Sequence, residues 1–165
     1  MSYGTNYVVG LRMNGSICIA GIIPNEIDIK LARQWKDIVD IKASRDCILG
    51  LKSDGTVKFL GKADDIKRTA EDWRDIIAIA VDSAYAYGLS KDGEIYIAGK
   101  CKAFLNKGRS AVTQWKHIIS ISSNQAGIGA ITEDGELYIA GTITGDRQRI
   151  IEIWNNNIKN IISFK

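Results

Sequence analysis

His117 is the only histidine in the chain, so any Ser-His-Asp or Cys-His arrangement would have to use it as its base. Such catalysis needs a nucleophile within hydrogen-bond reach of the base and a third group that orients it. His117 instead stands two residues after Trp115, where a β-branched run opens, a position whose ordinary use is structural, and no catalytic residue is assigned. Cys18, Cys47 and Cys101 form no CxxC pair, and an odd number of cysteines argues for a reducing, cytoplasmic setting rather than a secreted disulfide framework. No cluster has metal-ligand spacing, so neither metal nor cofactor is expected. Asp54, Asp92 and Asp134 resemble a carboxylate series, yet each precedes a glycine between two apolar runs, where aspartate is a turn former. One basic stretch remains. Residues 100–114 carry Lys100, Lys102, Lys107 and Arg109 with no acid and with Phe104 among them, chemistry suited to an acidic protein surface or a phosphorylated small molecule.

Bulk charge names no partner. The 22 basic and 19 acidic residues leave +3, far from the excess that binding a nucleic acid backbone requires, so nucleic acid is not expected. No stretch approaches the roughly 18 consecutive apolar residues of a membrane span, and the opening MSYGTNYVVG has neither a charged leader nor an apolar core, so neither a membrane nor export is expected.

The elements that would position these residues come from an internal repeat. SYGTNYVVGLRMNGSICIAG, ASRDCILGLKSDGTVKFLG, VDSAYAYGLSKDGEIYIAG and SSNQAGIGAITEDGELYIAG end at Gly21, Gly61, Gly99 and Gly141, spaced 40, 38 and 42 residues apart. All four tryptophans, Trp35, Trp73, Trp115 and Trp154, keep the same beat. An aromatic that large at a fixed phase is what a stacked unit uses to seal one copy against the next. Within a copy, IVDIKA, IIAIAV and IISISS read as one strand. ILGLK, AYGLS and IGAIT read as a second, which runs through an Asp-Gly turn into TVKFLG, EIYIAG and ELYIAG as a third. Asn14-Gly15 makes that turn in the first copy. Gly10, Gly50, Gly88 and Ala130 recur in the middle strand, where a small residue would let backbones approach. The connectors, including DDIKRTAEDW, fit either a fourth strand or a helical turn.

These units predict a single all-β domain over residues 1–165, a β-propeller of four blades of about 40 residues. The units cover roughly 1–21 with 154–165, 35–61, 73–99 and 115–141, since the segment led by Trp154 supplies the strand that the first unit lacks. Units of this length usually belong to rings of about six to eight blades, so four would span about half a circle. The expected assembly is therefore a homodimer closed head to tail as an eight-bladed ring, with a four-bladed monomer of steeper rotation as the alternative.

A Trp-led strand, a second strand, an Asp-Gly turn, an alternating run and a closing Gly, as in WKDIVDIKASRDCILGLKSDGTVKFLG, resemble the regulator of chromosome condensation repeat family over nearly the whole chain. The resemblance implies a propeller that acts through protein contacts. Members include a nucleotide exchange factor for a small GTPase and propeller-type inhibitors that cap β-lactamases. The family's Gly-x-x-His element is replaced here by Gly4 to Tyr7, Ser44 to Cys47, Asp82 to Tyr85 and Asn124 to Gly127.

Binding residues concentrate on loops held by a rigid scaffold. Strand alternation puts the turns between first and second strands on one face, together with the connectors. The candidate binding residues are Thr5, Asn6, Arg45, Asp46, Ser83, Tyr85, Asn124 and Gln125, with Lys100, Lys102, Phe104, Lys107 and Arg109. The function expected is a non-enzymatic scaffold binding a protein through this loop face. The alternative is a binder of an anionic metabolite or nucleotide signal, and an enzyme ranks last.

Overall fold

The computed structural model describes residues 1–61, 64–82, 84–99, 109–124, 127–141 and 146–157. They form four three-stranded antiparallel sheets, each built from strands consecutive in sequence. The first is β1 (Ser2–Tyr3), β2 (Tyr7–Leu11) and β3 (Ile17–Gly21); the second is β4 (Ile38–Ala43), β5 (Cys47–Lys52) and β6 (Val57–Gly61). The third is β7 (Ile76–Val81), β8 (Ala86–Ser90) and β9 (Ile95–Ala98); the fourth is β10 (Ile118–Asn124), β11 (Gly127–Thr132) and β12 (Leu137–Gly141). The second and third strands of each sheet are joined by the Asn-Gly or Asp-Gly turn, whose Gly15, Gly55, Gly93 and Gly135 take φ of 75°, 78°, 75° and 78°. Glycine, with no Cβ, adopts that region most readily. Asn14 and Asp54 behave as turn formers, each accepting from the backbone N–H two residues on, Ser16 at 3.1 Å and Thr56 at 3.0 Å.

The connectors settle as helical turns. They are α1 (Ile29–Ala32), capped by Asp28 accepting from Lys30 N and Leu31 N, α2 (Asp64–Ala70), and a 3-10 turn over Arg109–Gln114. The reason is spacing in α2: Ile66 and Ala70 fall four residues apart on one helical face, and the turn that follows, closed by the Trp73 amide donating to the Ala70 carbonyl at 3.2 Å, brings Trp73 into the same core between the second and third sheets. Among the described residues no helix is long and apolar enough to cross a membrane.

The tryptophans seal the joints. Trp35 lies with Tyr7, Val9, Ile17, Ile48 and Leu60 between the first two sheets. Trp73 lies with Leu49, Phe59, Ile79 and Ala86 between the next two, and Trp115 packs on the cluster of Tyr87, Ile95, Ile128 and Ala140 beyond them. The mid-strand glycines serve these indoles. A Cβ on Gly50 would stand 2.6 Å from Trp35 Cζ3, and one on Gly88 would stand 2.8 Å from Trp73 Cε3. The small residue therefore makes room for a ring, where the sequence pointed to a close approach of backbones.

A backbone stitch repeats at each joint. The amides of Ile38, Ile76 and Ile118 donate to the carbonyls of Gly15, Gly55 and Gly93 in the preceding blade, at 3.0, 3.0 and 3.1 Å. To reach them, Asp37, Asp75 and His117 take the left-handed conformation, with φ of 61°, 57° and 57°. Asp and His tolerate that region better than most side chains. His117 thus has a structural place at a joint, and its Nδ1 lies 3.1 Å from the Glu133 carboxylate.

The first blade differs from the sequence expectation. Ser2–Tyr3 pairs with Val8 and Val9 and fills part of the first-strand position itself. Trp154 sits within the helix α3 (Arg147–Asn157), so residues 154–157 are helical where a strand was expected, and residues 158–165 lie outside the described residues. Its indole Nε1 donates to the Gly135 carbonyl at 3.0 Å, the counterpart in the fourth blade of the Gly15, Gly55 and Gly93 carbonyls that accept from backbone amides at the three joints.

Candidate functional site

The turns between first and second strands gather at one end of the sheets and are pinned to one another from beneath. The Tyr7 hydroxyl donates across the first joint toward the carbonyls of Ser44 and Cys47, at 2.8 and 2.9 Å. Ser44 Oγ donates to the Asp82 carbonyl in the third blade at 2.9 Å, and Ser123 Oγ donates to the Val81 carbonyl at 2.8 Å. The Ala43 amide donates to Ser2 Oγ at 2.8 Å. The carboxylate of buried Asp82 organises its own turn: Oδ1 accepts from the amides of Ala84 and Tyr85 at 2.7 and 2.8 Å, and Oδ2 accepts from the Tyr87 hydroxyl at 2.9 Å.

On this base the expected residues divide. Thr5, Asn6, Arg45 and Asn124 are exposed at the turn tips, and Asp46 is half-buried beside Arg45. Asn124 Oδ1 accepts from the Gly127 amide at 3.1 Å, which shapes the turn. Tyr85 stands apart: it is 6% exposed and its ring lies 6.3 Å from that of Tyr87, so it belongs to the core. It holds the place in its blade that Tyr7 holds in the first, and that position turns inward. Ser83, Gln125, Lys100, Lys102, Phe104 and Lys107 lie outside the described residues. Arg109 opens the 3-10 turn, and its side chain is likewise outside them.

Burial governs the titration of the groups under the tips. It pushes the Tyr7 phenol above its usual range, with the charges of Cys47 and Asp46 adding to the effect. It pushes the Cys47 thiol up to about 12, helped by Asp46 and Asp82. The thiolate is the reactive form, so Cys47 is held inert. Iodoacetamide at mildly alkaline pH should alkylate exposed Cys18 and leave Cys47 unmodified until denaturant is added. Peptide mapping that found both modified at similar rates in the folded protein would contradict the burial of Cys47.

Two features of the surface escaped the sequence reading. The pairing register slips between Ile38 and Asp40, Ile76 and Ala78, and Ile118 and Ser120, which leaves Val39, Ile77 and Ile119 as bulge residues on three successive first strands. They are 53%, 55% and 50% exposed, a recurring aliphatic position at the opposite end from the tips. The signal was two adjacent β-branched residues, IV, II and II, where alternation would place one. The second feature is a recess of about 330 Å³ beside β3 and α1, lined by Arg12 and Arg33 with Ser16 and Cys18 and by no acidic side chain. A smaller recess of about 190 Å³ lies near the first strands, lined by Ser2, Lys42, Ala43, Ser122 and Ser123 among others. Among the described residues, no three His, Cys, Asp or Glu side chains come together as a metal site.

Sheets of sequential antiparallel strands, packed in chain order and stitched at both ends, are four blades of a β-propeller. No family model and no curated protein matches the sequence. Solved structures do match the fold. The CRINKLY WD40 ectodomain of the Arabidopsis thaliana receptor kinase ACR4 aligns with a TM-score of 0.65 at 15% identity, over 85% of this chain and 49% of that one. The ectodomain of the Physcomitrella patens receptor kinase CR4 aligns at 0.66 and 14% identity, over 88% and 41%. Prp20p of Saccharomyces cerevisiae, which binds Gsp1p and histones, aligns at 0.61 and 16% identity, over 86% and 43%. Prp20 is the yeast RCC1, and this chain is similar to it in fold, that of a β-propeller. The chain spans less than half the length of each of these propellers.

Proposed function

We propose that this chain is a non-enzymatic interaction scaffold that binds a protein partner through its turn tips. In this reading it acts as a homodimer in the cytoplasm. The observation that carries it is the tip surface: Thr5, Asn6, Arg45 and Asn124 stand exposed on turns whose backbones are cross-bonded beneath by Tyr7, Ser44, Asp82 and Ser123. Polar tips fixed in place lose little freedom on binding, which is how a rigid scaffold gains affinity from small loops. The binding of Gsp1p and histones by Prp20p is a precedent for protein partners on this fold.

Recess size weighs against a small ligand at the first strands. Drug-sized ligands occupy about 300–1,000 Å³, and the recess beside Lys42 offers about 190 Å³. An anionic small molecule is better matched to the recess of Arg12 and Arg33, the one observation favouring that second reading.

A photo-crosslinking residue placed singly at Asn6, Arg45 or Asn124, and as controls at Asn14, Asp54 or Asp134 on the hairpin end, tests the protein reading. Mass spectrometry should find one common partner on the tip positions and none on the hairpin positions. Adducts confined to the hairpin end, or none at the tips, would overturn it.

A further inference from the structure

At each internal joint one sheet offers a face and the preceding blade covers it. The covered positions are equivalent from blade to blade: Ile48, Gly50 and Leu60 in the second sheet, Ala86, Gly88 and Ala98 in the third, and Ile128, Ala130 and Ala140 in the fourth are all buried. In the first sheet the same positions are Val8, Gly10 and Ala20, of which the first two are half-buried and Ala20 is exposed. Gly50 and Gly88 each receive an indole, while among the described residues a Cβ on Gly10 would meet Cys18 alone, with Sγ at 2.8 Å and the carbonyl at 4.0 Å. Among the described residues β1 pairs only with Val8 and Val9, whereas β4 pairs with β5 as far as Lys52.

The opposite end of the chain presents the matching half. Three residues before each tryptophan the side chain is buried under the next sheet, as Ala32, Ala70 and Val112. The fourth such residue, Ile151, is half-buried, Trp154 is half-buried, and Ile150 and Ile153 on the same helix are 40% and 48% exposed. α3 packs on β12 as α2 packs on β6, and α2 has a further sheet, β8 and β9, on its other side.

We infer that the open face of the first sheet, around Val8, Gly10 and Ala20, binds the fourth blade and α3 of a second copy of this chain, with the partner's Trp154 over Gly10. The contact continues the joint already made three times within the chain, and among the described residues both of its halves are present in one molecule without the neighbouring blade that covers their equivalents. Among the described residues the sheets pack first to second, second to third and third to fourth, an arc in chain order. The matched propellers are about twice this length, so two such arcs placed head to tail close one ring. This rests on the dimeric form of the reading above and not on what the tips bind.

Light scattering and sedimentation of the 165-residue chain at micromolar concentration should give twice 18.2 kDa. Val8→Arg and Ile153→Arg each bury an unpaired charge in the joint and should weaken association by about tenfold or more. Both positions are solvent-accessible within one chain, so circular dichroism should show the blades intact. Because the contact is head to tail, mixing the two variants restores one unaltered joint and should recover a two-chain species that neither forms alone. A single-chain mass for the unaltered protein, or a two-chain mass that neither substitution disturbs, would overturn the inference. Crosslinking at the tips reads the protein-partner reading separately, so the two can fail independently.

Discussion

Trp73→Ala should cost about 3–5 kcal/mol, the range for truncating a buried large aromatic, and so remove much of the roughly 5–15 kcal/mol that holds a domain folded. Trp73 is 5% exposed at the joint between the second and third blades. Its ring rests on Gly88, lies 6.3 Å from Tyr96, and shares a cluster with side chains of both sheets and of α2. Truncation therefore opens a cavity between blades, where neither rigid sheet can collapse to fill it. Trp73→Phe should recover part of the loss, since a smaller ring still occupies the seat. Gly88→Val should fail from the other side, because the seat would be filled before the indole arrives. Urea unfolding followed by circular dichroism measures all three. A midpoint for Trp73→Ala close to that of the unaltered protein would mean that the indole is not what joins the blades.

The same joint shows what was legible in the sequence. IVDIKA and IIAIAV are strands as read, Ile38–Ala43 and Ile76–Val81, because alternating β-branched residues bounded by Asp-Gly turns determine both period and register locally. The tryptophans declared a seal between units, and the units proved to be blades. The purpose of Gly50 and Gly88 was not visible, since the ring each receives comes from 15 residues upstream in the same repeat and reaches it only once the chain has folded back. Tyr85 misled for a related reason. A tyrosine next to a turn reads as a tip residue, but its fate depends on the neighbouring blade, against which this position turns inward as Tyr7 does toward Ser44 and Cys47. The tip residues Thr5, Asn6, Arg45 and Asn124 were legible because exposure at a turn follows from local pattern alone. The helical connector was also present in the spacing of Ile66, Ala70 and Trp73, although a stretch so short and so charged reads equally well as a strand.

Asp82→Ala should destabilise the protein by about 3 kcal/mol or more, since each buried donor stripped of its acceptor costs about 1–3 kcal/mol. The Asp82 carboxylate accepts from two backbone amides and from the Tyr87 hydroxyl, and Tyr87 is fully buried. Asp82→Asn should cost less, because an amide oxygen can still accept from Ala84 N and Tyr85 N while its NH2 group meets the tyrosine oxygen. Combining Asp82→Asn with Tyr87→Phe should then be less than additive, since the hydroxyl that the amide group misplaces is gone. The effect should also be local. The Asp82 carbonyl receives Ser44 Oγ from the neighbouring blade, so losing the carboxylate that orders this turn frees two tips together. Hydrogen exchange should quicken at Ala84 and Tyr85 first, while β5 and β8 exchange only with global unfolding. If Asp82→Ala leaves both the urea midpoint and the exchange at Ala84 and Tyr85 unchanged, the tips are not held by this carboxylate, and the rigidity on which the proposed binding surface depends has another source.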